Sequence, residues 1–342
     1  MHDVVIAGAL LAVLSGIMNG LFTMPMRFLG RWSWENVWSV FIAGACLLLP
    51  LVLVSVTAPN SWVVLVKAPP RTVSIALAAG FAWGFGAIMF GQSVSAIGIA
   101  LANTFVLAIS SAFGSLLPML LLSPGKLHER EGRFILAGIA VEILGIALCG
   151  RAGLLRERVA GQGQRGDLVG EQRPLAVALL LVTCSGLLSA VFNIGFSLAQ
   201  PIAAFGQSNG LGEFASTNLI WVLMLGGGAV SNLGYCVYLL WRNKSAKRFM
   251  EPRVSRLYIL GLLMSLLWGG SIFVYGAATP KLGVLGPSIG WPLSLATGLL
   301  VANIVGLRMG EWKGAPRRAL RWMLAGVAVL VVAIVILSRA NG

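Results

Sequence analysis

The sequence predicts an all-α membrane protein of ten transmembrane helices, arranged as two inverted five-helix repeats. Three observations predict it. Of the 342 residues, 58% are hydrophobic and only 11% charged, with a mean hydropathy of +0.89. A soluble domain carries about a quarter charged residues, so this chain could not cover itself in water. The apolar residues gather into ten runs long enough to cross a bilayer. Finally, the stretch WGFGAIMFG at Trp83–Gly91 returns as WGGSIFVYG at Trp268–Gly276, and in each copy another glycine follows seven residues on, at Gly98 and Gly283.

The runs are Val4–Phe28, Val37–Ala58, Thr72–Val94, Gly98–Leu122 and Phe134–Gly150, then Pro174–Gln200, Phe214–Trp241, Leu257–Ala278, Val284–Leu307 and Leu320–Ser338. The first opens with MHDVVIAGALLAVLSG, which lacks the basic segment and the A-x-A site of a signal peptide, and so reads as a helix. Ahead of the second lies RWSWENVWSV. Ser33 can cap the helix there, Glu35 sits at its positive end, and Trp32, Trp34 and Trp38 read as interfacial anchors. Only a tight turn separates the third and fourth runs, which predicts a hairpin. Gly84 and Gly91, about two helical turns apart, share a face that a neighbouring helix can approach closely.

The fifth run holds Glu142, an acid well inside an apolar stretch. Inserting it ionised at mid-membrane would cost about 2.5–3.5 kcal/mol, so it is neutral or partnered. Residues 151–173 form a long polar stretch, RAGLLRERVAGQGQRGDLVGEQR, that reads as a linker between a first half, residues 1–150, and a second, residues 174–342. In the ninth run, Gly286-Pro287 and Trp291-Pro292 predict an interrupted helix, the sequence feature that points best to a transporter site. Cys46, Cys149, Cys184 and Cys236 all lie in apolar runs with no metal-ligand spacing, and read as packing residues.

Basic residues set the orientation. Eighteen of the 25 Lys and Arg fall on one side of the ten runs, from Arg27 and Arg31 through the 151–173 stretch and Arg242–Arg256 to Arg308–Arg321. By the positive-inside rule that side is cytoplasmic and both termini lie outside. The net charge of +14 is therefore topology and no nucleic-acid footprint.

The echo at Trp83 and Trp268 belongs to a longer pattern. Runs three and four align with eight and nine at an offset of 185. RFILAGIAV from Arg133 aligns with RWMLAGVAV from Arg321 at 188, and Ser15-Gly16 with Ser185-Gly186 at 170. Each copy holds five helices, an odd number, so the second must enter the membrane from the opposite side. Inverted halves around a central site let one protein open alternately to each face. A membrane-embedded enzyme would need clustered acids, His or Cys at depth, and no glycine-rich phosphate loop supports ATP-driven transport.

The blocks FTMPMRFLGRWSWENVWSV (Phe22–Val40), WGFGAIMFG (Trp83–Gly91), RAGLLRER (Arg151–Arg158), GGGAVSNLGYC (Gly226–Cys236) and EWKGAPRR (Glu311–Arg318) occur in this order across ten spans. Together they resemble the L-rhamnose–proton symporter family of the drug/metabolite transporter superfamily. The resemblance covers nearly the whole chain. It implies a secondary transporter, no enzyme, that imports a small neutral deoxy-sugar with a proton across the bacterial inner membrane, without a cofactor, as a monomer or weak homo-oligomer. A metabolite or drug exporter of the same superfamily is the alternative.

A sugar needs convergent hydrogen-bonding groups and an aromatic face in a dry cavity, and polar residues within membrane spans tend to face the bundle interior. The candidates are Asn19, Gln92, Asn103, Asn193, Asn218, Tyr275 and Ser288, with Trp83, Trp268 and Trp291 supplying aromatic surface. Ser288 and Trp291 rank first because of the prolines beside them. Glu142 is the candidate for proton coupling.

Overall fold

A computed structural model describes residues 2–58, 61–97, 99–160 and 174–340, and every regular element among them is helical. Among the described residues, ten helical segments are long and apolar enough to cross a membrane. They are Asp3–Met26, Trp34–Thr57, Pro70–Ser93, Ala100–Leu122, Arg130–Arg158, Leu175–Ser208, Glu213–Arg242, Ser255–Ala278, Pro280–Arg308 and Arg317–Ser338, numbered spans 1 to 10 below. Hydrocarbon offers backbone groups no water, so each segment satisfies them within itself as helix. Large apolar side chains such as Leu10, Val56, Leu180, Val237 and Val332 stand exposed on the outer surface, where lipid would meet them.

Several elements depart from expectation. The helix of span 5 runs on to Ala160, so residues 151–160 are helix where a linker was predicted, and 161–173 lie outside the described residues, as does Gly98 of the predicted hairpin turn. Span 6 is two helices, Leu175–Leu198 and Gln200–Ser208, meeting at Ala199 just before Pro201. Span 2 contains a π-turn over Ala43–Leu48 ahead of Pro50. Proline has no N–H to return to the carbonyl four residues back, and the wider turn absorbs that loss. Span 9 is not interrupted at Gly286-Pro287 or Trp291-Pro292 as predicted; its break falls earlier, at Gly283. A short 3₁₀ segment, Pro280–Leu285, leads into one continuous helix, Gly286–Arg308. Pro287 occupies its first turn, where a missing N–H costs nothing. The backbone exception is Gly283, whose φ of +72° suits glycine.

The spans pack through small residues. Gly16 and Gly20 of span 1 meet Thr297 and Val301 of span 9, while Gly186 of span 6 meets Ile109 of span 4. Gly86 of span 3 lies against Leu188 of span 6, and Gly270 of span 8 against Met18 of span 1. Gly84 lies against Ser231 of span 7 as predicted, but Gly91 faces open space. On span 8, Gly269 lies against Ala45 of span 2. Spans 5 and 10 run antiparallel, with Gly138 beside Leu337, Gly145 beside Leu330 and Gly326 beside Cys149.

The two ends of the bundle are closed differently. At the basic end, the loop before span 2 is clasped to the loop after span 7. Trp32 donates to the Arg248 carbonyl at 3.2 Å, Asn36 to the Ser245 carbonyl at 3.1 Å, and Asn243 and Ser245 both donate to Glu35 Oε1. Arg31 lies 3.5 Å from Glu251. Trp32, 5% exposed, thus belongs to this clasp rather than to a lipid interface. Ser33 stands at the N-cap position without a side-chain cap bond. At the other end Val5 and Ala9 of span 1, Leu127, Phe134 and Ala340 pack around Leu282, Leu285 and Ile289, which brings both termini to that end.

Candidate functional site

The centre of the bundle is aromatic. Trp83 of span 3 and Trp268 of span 8, the two residues that open the sequence echo, stack face to face with centroids 5.1 Å apart and planes 13° from parallel. Both are half-buried. Rings continue from this pair in two directions. Toward the basic end, Trp268 meets Phe41, Phe41 meets Trp38, and Trp38 stacks on Trp34. Toward the terminal end, Trp83 meets Phe192, which meets Trp221; Trp221 stacks on Phe196 at 4.3 Å. Tyr275 and Trp291 complete that group, 5.5 Å apart.

Within the terminal half the polar candidates divide sharply. Asn193 is fully buried and bonded on three sides: its Nδ2 donates to the Gly114 carbonyl at 2.8 Å and the Pro287 carbonyl at 3.1 Å, and its Oδ1 accepts from the Tyr275 hydroxyl at 2.5 Å. Trp291 Nε1 donates to the Ser110 carbonyl and hydroxyl, and Ser110 pairs with Ser189 at 2.9 Å. Ser288 is buried in the first turn of span 9. These bonds tie spans 4, 6, 8 and 9 together.

Asn218 of span 7 is equally buried, yet neither its Nδ2 nor its Oδ1 has a hydrogen-bond partner, and Trp221 Nε1 one turn away has none either. Such atoms each forgo about 1–3 kcal/mol of hydration without replacement. Trp221 carries no signal in the sequence. It lies in an apolar run outside the echo, and only its packing against Gly276 and Phe196 reveals its place.

The remaining candidates lie apart from the ring group. Asn19 sits half-buried beside Gly298 of span 9. Gln92 lines a cleft of about 540 Å³ with Phe81, Phe85, Val230 and Tyr235, and Gln92 Nε2 lies 3.5 Å from the Tyr235 hydroxyl. Phe81, Phe85 and Val230 are exposed on the outer face of the bundle, so this cleft opens sideways. Asn103 is exposed in a separate cavity of about 260 Å³ at the basic end, between spans 4, 5 and 9.

Glu142 points from span 5 into span 4. It is fully buried, its Oε2 accepts from the Ser111 hydroxyl at 2.5 Å, and its Oε1 has no hydrogen-bond partner. Its aligned position in span 10 is Leu330, which is fully buried against Gly145 of span 5. Ser111, which holds Glu142, follows Ser110, the partner of Trp291, on span 4.

A family profile described as L-rhamnose-proton symport protein (RhaT) matches residues 1–341. The chain is 27% identical over 342 residues to the L-rhamnose-proton symporter of Cronobacter sakazakii, covering 97% of each chain. It is 25% identical over 350 residues to that of Escherichia coli (strain 55989 / EAEC), covering all of both. The symporter of Shigella boydii serotype 18 is 26% identical over the same length.

Proposed function

This chain belongs to the L-rhamnose-proton symport protein family, and from that premise we propose that it imports a small neutral sugar of the L-rhamnose type together with a proton, as a multi-pass protein of the bacterial inner membrane. The observation that carries the reading is the stacked pair of Trp83 and Trp268 at the centre of the bundle. The C–H face of a sugar packs on aromatic rings, while its hydroxyls need amides and indole N–H groups nearby. Asn218 and Trp221 have unpartnered donors and an unpartnered acceptor one short step along the ring group, and in this reading they hold sugar hydroxyls. Asn193, Tyr275 and Trp291 position that surface.

The two halves, residues 1–150 and 174–342, act as inverted repeats that expose the site alternately to each face. Packing supports this. If each span is exchanged with the one five places away, the contact of spans 1 and 9 becomes that of 6 and 4, the contact of 1 and 8 becomes that of 6 and 3, and that of 3 and 7 becomes that of 8 and 2. Spans 5 and 10 exchange with each other, and they run antiparallel. Trp83 and Trp268 exchange as well. The basic end faces the cytoplasm, with both termini outside.

Glu142 carries the coupling proton. A buried carboxyl held by one hydroxyl is stable when neutral and costly when ionised, so its loading is tied to what fills the site beside it. The test is uptake of labelled L-rhamnose into proteoliposomes with and without an imposed pH gradient. Expected is accumulation with the gradient in the wild type. In Glu142→Gln, accumulation should fall by more than tenfold while exchange of internal for external sugar persists, because exchange cycles only the loaded protein. Undiminished accumulation in that variant would remove Glu142 from coupling.

A further inference from the structure

The cavity at the basic end lies where the proposed sugar site does not. Its polar lining comes from Thr23 at the end of span 1, Asn103 and Thr104 of span 4, Asn303 of span 9, and Arg156 with Glu311, which lie 3.4 Å apart at its mouth. The aromatic group is built by spans 2, 3, 6, 7 and 8 together with Trp291, and none of these aromatic residues lines the cavity. The cavity and the aromatic group therefore share no residue.

The cavity stops one helical turn short of the buried acid. Leu107 and Ile146 line it. Ile146 stands one helical turn after Glu142 on span 5, and Leu107 stands one turn before Ser111 on span 4. Glu142 Oε2 is held by Ser111 and its Oε1 is unpartnered. Thr104 spends its own proton on the Ala100 carbonyl, and Asn303 Nδ2 donates to the Leu299 carbonyl. The oxygens of both side chains remain as acceptors along the wall. A polar cavity of about 260 Å³ with several such partners meets the requirements for holding water.

Toward the other end the same helices are sealed. Leu127, Ile135, Ile139, Ile143 and Met119 pack with Leu285 and Ile289. Between Glu142 and the basic-end cavity stands a single apolar layer, Leu107 and Ile146 packed with Ala296 and Leu330, whereas the apolar cluster at the opposite end extends over several turns; the shorter barrier lies on the basic side. No other charged group competes at that depth. Span 4 has no charged residue, those of spans 9 and 10 are Lys281, Arg308, Arg317, Arg318 and Arg321 at their ends, and Lys126 and His128 lie in the turn ahead of span 5. In the cavity itself the titratable groups are Arg156, Glu311 and Cys149, with Glu157 Oε1 accepting from the Ala100 amide nearby.

We propose that this cavity is a proton exit distinct from the sugar path: a water-filled passage from Glu142, past Thr104 and Asn303, to the basic face. The proposal rests on Glu142 as the coupling acid. Coupling through one alternating chamber would force sugar and proton along the same route. Here the proton leaves between spans 4, 5 and 9 while the sugar leaves along the aromatic group.

The experiment uses the full chain in proteoliposomes and reads two quantities on each sample, exchange of labelled L-rhamnose without a pH gradient and proton movement evoked by adding the sugar. In a combined Thr104→Val and Asn303→Leu variant, exchange should stay within about twofold of wild type. Proton movement should drop by about tenfold or more, and Asn303→Gln should restore it. Equal loss of both activities overturns the proposal by placing the sugar in the cavity, and loss of neither overturns it by leaving the cavity unused. If the wild type exchanges sugar but moves no proton, the coupling reading falls and this route with it. Independently of those variants, Cys149 lines the cavity. With Cys46, Cys184 and Cys236 replaced by alanine, a small cationic thiosulfonate applied from the basic face should modify Cys149; failure to react means the cavity is dry and overturns the passage.

Discussion

Asn193 and Asn218 are the same residue type, both fully buried, in neighbouring spans of the same half. The first makes three hydrogen bonds and the second makes none. Burial and chemistry cannot explain the difference, so position must. Asn193 points at two carbonyls near the start of span 9 and the middle of span 4 and locks four spans together. Asn218 and the Trp221 Nε1 one turn away find no hydrogen-bond partner among the described residues. In a membrane bundle an amide stabilises when it finds a partner helix. One that finds none is a net cost that the fold alone would not select. The first region is framework, then, and the second is the one that the proposed function assigns to the sugar.

The sharpest way to break this comparison is at its framework side. Asn193→Leu removes two donated bonds and the acceptor of the Tyr275 hydroxyl, and leaves two buried carbonyls without that donor. At the ~0.6 kcal/mol average of interhelical bonds in membranes the loss is about 2 kcal/mol, and larger if the stranded groups stay dry. Thermal unfolding of the detergent-purified variant should show it as a lowered midpoint. Asn218→Leu should do the reverse. Stability should hold or rise, because an unpartnered amide is exchanged for an apolar side chain of similar size. The apparent KM for sugar should rise about tenfold, the worth of one lost hydrogen bond of ~1.4 kcal/mol. If Asn218→Leu unfolds the protein, the distinction between the two asparagines is wrong.

The ten spans were legible in the sequence because lipid reads hydropathy almost residue by residue. The predicted run Leu257–Ala278 and the observed span Ser255–Ala278 differ by a single turn or less. The stacking of Trp83 on Trp268 was foreshadowed by their echo. The state of each polar residue was not legible. Hydropathy records the cost of placing an amide at depth, and says nothing of whether a carbonyl on another span 79 positions away receives it, as Gly114 receives Asn193. Proline misled for a similar reason. Gly286-Pro287 opens a helix and Pro292 sits within a continuous one, because a proline marks a missing N–H and the neighbouring packing decides what becomes of it. Trp32 and Trp38 read as lipid anchors by composition, yet they bond to Arg248 and Asn232 inside the protein.

The finest cut falls on Tyr275, which touches both regions. Its hydroxyl donates to Asn193 Oδ1, and its ring lies 6.1 Å from Trp221. Tyr275→Phe deletes only the hydroxyl. Asn193 keeps both carbonyl bonds, so the framework should lose no more than ~0.6–1 kcal/mol, a small shift in the unfolding midpoint. If Tyr275 serves the framework alone, sugar uptake at saturation and the apparent KM should both stay within about twofold of wild type, since no bond to the sugar is lost. A tenfold rise in KM at unchanged stability would mean that the hydroxyl turns from Asn193 to the sugar when the site is filled. Asn193 would then stand on the ligand side with Asn218, and the boundary between framework and pocket would move one helix outward, to span 4 and the start of span 9.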